Sequence, residues 1–123
     1  MKIKKYQSTG GFEILVGQDD ESNDALTFSI GQANDIWLHV SAAPGSHVIL
    51  RCGQAKVKPD QESLREAAAL AAWFSKMRRG GQVAVSYCPL KQVRKPRRAK
   101  VGTVSIRKAQ KLVVRPALLE EIA

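Results

Sequence analysis

Asp35, Trp37, His39 and Ser41 alternate with Ile36, Leu38 and Val40, so one extended segment carries an acid, an indole, an imidazole and a hydroxyl on a single face. His47 and Arg51 join that face if the next run, Ser46 to Cys52, folds back beside it. An indole there gives an unstacked base a surface to lie on. The imidazoles can donate to phosphates or base edges, and the guanidinium of Arg51 can clamp a phosphate through two hydrogen bonds. The same residues read equally as a partly buried tryptophan and two structural histidines bonded to carbonyls. Asp35, His39 and His47 also have the types needed for acid–base catalysis. A metal is not expected, because strand neighbours two apart stand about 6 to 7 Å from each other and no third nitrogen or sulfur ligand is forced into reach. Nothing else calls for a cofactor. Cys52 and Cys88 form no CxxC pair and read as reduced, buried thiols.

Charge supplies the stronger signal. The chain holds 20 Lys plus Arg against 11 Asp plus Glu, a net +9. Asp19, Asp20, Glu21 and Asp24 cluster early, whereas no acid occurs from Ala67 through Leu119. That stretch carries Lys76, Arg78, Arg79, Lys91, Arg94, Lys95, Arg97, Arg98, Lys100, Arg107, Lys108, Lys111 and Arg115. Such cations repel one another unless an anion settles over them, and a phosphate backbone is the natural candidate. A merely solvated basic face is the alternative.

The elements that must position these groups follow from pattern. The length of 123 residues, 44% hydrophobic and 25% charged, suits one domain over 1–123. No run approaches the roughly 18 apolar residues of a membrane span, and Met1 to Tyr6 is basic without the apolar stretch of a signal peptide. A cytoplasmic protein without a membrane partner is expected. Phe12 to Gly17 reads as a strand and Glu21 to Ile30 as a short helix. With Ala43-Pro44-Gly45 as a three-residue hairpin loop, Val40 faces Val48, Leu38 faces Leu50 and Ile36 faces Cys52.

Asp60 caps a long helix over about 60–79, striped by Leu64, Ala67, Ala68, Ala71, Phe74 and Met77 and stopped by Gly80-Gly81. Val83 to Cys88 is a strand. Gly102 to Arg107 and Lys111 to Arg115 pair as a closing hairpin, with Val104 and Ile106 meeting Leu112 and Val114 in the core. Leu90 to Lys100 is a basic loop too polar to bury. The expected class is α+β: a mostly antiparallel sheet with the long helix and the short one, about 21–30, packed against it.

Five ordered blocks carry a resemblance. They are Gly11-Phe12 through Asn23-Asp24-Ala25-Leu26-Thr27, Asp35-Ile36-Trp37-Leu38-His39, Pro44-Gly45-Ser46-His47-Val48-Ile49, Glu66-Ala67-Ala68-Ala69-Leu70-Ala71-Ala72-Trp73-Phe74-Ser75, and Val93-Arg94-Lys95-Pro96 leading to Gly102-Thr103-Val104. Together, over roughly residues 10–116, they resemble the NFACT-R domain, the RNA-binding module at the C-terminal end of NFACT proteins of ribosome-associated quality control, also known as fibronectin-binding proteins. The resemblance implies an α+β domain that binds RNA, and in full-length relatives one that works on the large ribosomal subunit with a bound tRNA. Those relatives also have an N-terminal domain, a helix-hairpin-helix segment and a coiled coil that 123 residues do not accommodate, so tail synthesis on stalled peptides is not carried over. Two departures stand out. Gln18, Asp19 and Asp20 replace the family's usual Arg and paired Asn, and Arg98 and Val101 stand where Gly and Pro are common.

The resulting expectation is a non-catalytic module binding tRNA or rRNA through the basic loop and the polar strand face. Its contact residues are Trp37, His39, His47, Arg51, Lys91, Arg94, Lys95, Arg97, Arg98 and Lys100. Against it stand an RNA-acting enzyme using His39, His47 and Asp35, and a protein-binding adaptor.

Overall fold

The computed structural model describes residues 1–54 and 58–122. Strand β1, Ile3–Gln7, pairs antiparallel with β2, Glu13–Gly17, across a turn that contains Gly10 and Gly11. Helix α1, Asp20–Ala25, follows. Asp19 caps it by accepting from the Ser22 amide, and the chain continues as one π-helical turn, Leu26–Ile30. Then come β3, Ile36–Val40, and β4, Val48–Arg51, before helix α2, Gln61–Trp73. Strands β5, Val83–Pro89, β6, Val93–Arg94, β7, Ser105–Ile106, and β8, Gln110–Val114, complete the chain. The main sheet is antiparallel with strand order β1-β2-β4-β3-β5-β8, and β6 and β7 form a separate two-stranded ribbon. No helix among the described residues is long and apolar enough to cross a membrane.

Both faces of the sheet are covered. Ile14, Val16, Leu38, Val40, Val48, Leu50, Val85 and Val114 point to one side, where Ala67, Ala68 and Ala71 let α2 lie close. Leu15, Trp37, Ile49 and Cys88 point to the other, under Leu26, Leu90 and Val93. The outer edge of β1 is met by the C-terminal segment, whose Ile122 amide donates to the Lys5 carbonyl. At the opposite edge, β8 pairs with β5 alone among the described residues.

The long helix over 60–79 is not present: α2 has 13 residues and stops at Trp73. Phe74 leaves helical geometry because residues 74 to 76 bond to the β3–β4 connection instead. The Ser46 amide donates to the Phe74 carbonyl and the Lys76 amide to the Pro44 carbonyl. At Gly45 an added Cβ would come within 2.8 Å of the Ser75 Cβ, so only glycine permits this approach. Met77, expected on the buried stripe, is 40% exposed. The short helix over 21–30 is likewise an α-helix of six residues running into the π-helical turn.

Two pairings also differ. Ile36 faces Leu50 and Leu38 faces Val48, a slip of two residues from the expected hairpin register. Because side chains alternate with period two, the slip leaves every residue on its expected face but lengthens the connection to residues 41–47. The closing hairpin does not form: β7 pairs with β6, β8 pairs with β5, and Val104 packs with the Trp37 layer while Leu112 and Val114 pack on the α2 side.

Candidate nucleic-acid interface

The segment expected as a loop is a ribbon seated on the sheet. After β5, a single 3-10 turn, Leu90–Gln92, buries Leu90, and β6 buries Val93 against the Trp37 layer. These two apolar residues inside a basic run were hidden by the charge around them. They hold the ribbon down while its cations stay out: Lys91, Arg94, Arg97, Arg98, Lys100, Arg107 and Lys108 are exposed. Lys111, opposite Ser86, emerges on the same side of the sheet.

Lys95 is different. Its ammonium lies 2.9 Å from Asp24 Oδ2 and donates to the Lys100 carbonyl and, at 3.0 Å, to that of Thr103. The Gly102 amide donates to Asp24 Oδ1 at 2.9 Å. Gly102 has φ 87, and a Cβ there would meet Asp20 Oδ1 at 2.8 Å, so both its conformation and its neighbour require glycine. Asp24 thus gathers the far end of the ribbon loop. In the sequence it stood only as one of four acids clustered early in the chain.

Trp37 is 2% exposed and lies under the ribbon, so it presents no face to a base. Its ring stacks on His39 at 5.8 Å between centroids and meets the edge of His47 at 5.3 Å. Burial pushes His47 down to about 4, helped by the nearby His39, so the ring is neutral at neutral pH. His47 Nδ1 lies 2.8 Å from Thr27 Oγ1, and its amide donates to Asn23 Oδ1. His39 donates from Nδ1 to the Val40 carbonyl, and burial lowers its pKa as well. His39, Ser41 and Thr103 line a cleft of about 290 Å³ between sheet and ribbon, with the Ser41 and Ser86 hydroxyls 2.9 Å apart.

Asp35 and Arg51 bind each other. Arg51 Nε sits 3.2 Å from Asp35 Oδ2, and the carboxylate also accepts from the amides of Gln32 and Gly53. Asp35 therefore fixes the start of β3, and four residues of strand, about 13 Å, separate it from His39. Cys52 and Cys88 are free and buried, and burial raises both thiols, Cys88 to about 11.

Residues 2–108 match the model of the NFACT protein RNA binding domain. The chain belongs to this family. It is 39% identical over 114 residues to the Rqc2 homolog RqcH of Bacillus subtilis (strain 168), covering 93% of this chain and 19% of that protein. It is 37% identical over 116 residues to the Rqc2 homolog RqcH of Streptococcus suis (strain 05ZYH33), covering 94% and 20%. The C-terminal part of the fibronectin/fibrinogen-binding protein of Streptococcus suis superposes with a TM-score of 0.88 at 36% identity, over 95% of this chain and 46% of that one. This NFACT RNA-binding domain thus spans about a fifth of the length of the RqcH relatives.

Proposed function

We propose that this domain binds structured RNA, tRNA or rRNA in a ribosome quality-control setting, and that it does so without catalysing a reaction. The observation that carries the reading is the state of the cations in the acid-free half. Of the thirteen between Ala67 and Leu119, only Lys95 reaches a carboxylate among the described residues. Arg94, Arg97, Arg98 and Lys100 are all exposed on the ribbon, which packs on the Trp37 side of the sheet, and a phosphate backbone lying there would neutralise them. The family and the RqcH relatives supply the RNA and ribosome context. The non-catalytic part draws on the engagement of Asp35 with Arg51 and on the burial of His47.

Binding to a labelled tRNA across a potassium chloride series tests this. The logarithm of the affinity should fall with the logarithm of salt at about 0.7 to 0.9 per neutralised phosphate. A salt-independent affinity would overturn the reading, and RNA cleaved or modified by the wild type but left intact by His39→Ala would replace it with the enzyme.

A further inference from the structure

We propose that the cleft at the root of the ribbon takes one unpaired nucleotide of the bound RNA. The inference rests on the RNA-binding reading and adds what the RNA must offer. The cleft, about 650 Å³, opens where β3 begins and β5 ends. Ile36, Leu64 and the Tyr87 ring give it an apolar lining that suits a flat heteroaromatic. Asn34, Gln92 and Gln110 supply amides around it.

One group of each of two amides is already engaged. Asn34 Oδ1 accepts from Lys91 Nζ, and Gln92 Nε2 donates to the Arg107 carbonyl. The Asn34 amide hydrogens and the Gln92 oxygen have no partner among the described residues, a donor and an acceptor of the kind that reads a base edge. Lys58 and Lys108 add two ammonium groups, and no acid lines the cleft among the described residues. An acid-free site with paired donors and acceptors and two cations fits a nucleotide, base inward and phosphate at the lysines.

Position ties the cleft to the ribbon. Gln92 immediately precedes β6 and Lys108 lies two residues beyond β7, so an RNA held by the ribbon passes its mouth. Lys108 holds φ 52, left-handed backbone that favours glycine, yet carries a long cation there.

Two RNA hairpins, one blunt and one with a single-nucleotide 3′ overhang, provide the test. The wild type should prefer the overhang by roughly tenfold, the range of one stacked base. In the Asn34→Ala/Gln110→Ala variant, shown folded by its melting curve, the preference should shrink to about twofold with blunt-hairpin affinity retained. A 4-thiouridine placed in the overhang should crosslink to the wild-type peptide that contains Tyr87, which needs no variant. Equal wild-type affinity for both hairpins, with the salt dependence intact, overturns the cleft and leaves the RNA reading standing. Binding to neither overturns both. Competition by free AMP without any preference between the hairpins would make this a site for a free nucleotide and also overturn the inference.

Discussion

Asp24 and Lys95, 71 residues apart in the chain, meet at 2.9 Å, and the lysine is the one cation of its basic run that reaches a carboxylate among the described residues. Its charge therefore belongs to the fold. Lys95→Met should lower stability by about 1 to 3 kcal/mol, the worth of hydrogen bonds to a charged group, in urea denaturation. It should weaken RNA binding yet leave the salt slope unchanged. Arg97→Ala, by contrast, should leave stability alone and reduce the slope by about 0.7 to 0.9. A reduced slope in Lys95→Met would show that its ammonium reaches phosphate after all.

Arg98 has φ 62, where an L side chain is strained. Arg98→Gly should raise stability, by about 1 kcal/mol once glycine's greater unfolded freedom is set against the relief. It should also lower RNA affinity. The two effects separate a residue kept for binding from one kept for folding, and a variant both less stable and equally tight in binding would contradict this.

Trp37→Ala should cost about 3 to 5 kcal/mol of stability, because a buried indole leaves a cavity. Trp37→Phe should leave RNA affinity within about twofold, since the ring is not a stacking platform. The indole Nε1 has no partner among the described residues, so phenylalanine removes an unsatisfied donor as well. A selective loss of binding to unpaired RNA in a stably folded Trp37→Phe would restore the stacking role.

Acid should destabilise the domain through His47. Its folded pKa of about 4 lies below the unfolded 6.5, so the unfolded chain binds the extra proton between those values. Stability is complete above pH 6.5 and falls by up to roughly 3 kcal/mol as pH drops towards 4, with His39 adding in the same direction. Asp19 and Asp60, whose carboxyls are lowered by hydrogen bonds from Ser22 and Ser63, lose their contribution only below the ordinary carboxylate range. Urea denaturation at pH 7, 6 and 5 should therefore show a slope that His47→Gln flattens; an unchanged slope would assign the acid sensitivity elsewhere.

What the sequence disclosed was local. Alternation placed Ile36, Leu38 and Val40 on one face, and Asp60 at a helix start, because both depend on neighbours within a few residues. The end of α2 was not legible. Phe74 and Met77 continue the helical stripe and Gly80-Gly81 offers an obvious stop, whereas the actual stop comes from Pro44 to Ser46, some 30 residues upstream. The site divided the same way. The cations of the ribbon were visible as composition, but the burial of Trp37 depends on Leu90 and Val93 folding over it, and the tasks of Lys95 and Arg51 depend on acids far along the chain.

Strand β8 ends the sheet, with β5 its one partner among the described residues. Its outward amides and carbonyls form a template for another copy's strand, and Lys111 and Arg115 set like charges beside it. Dilute buffer should therefore keep copies apart, while concentrated salt should mask the repulsion and open the ladder to stacking. Light scattering that rises with ionic strength and is stronger still in Lys111→Ala is the sign of such self-pairing.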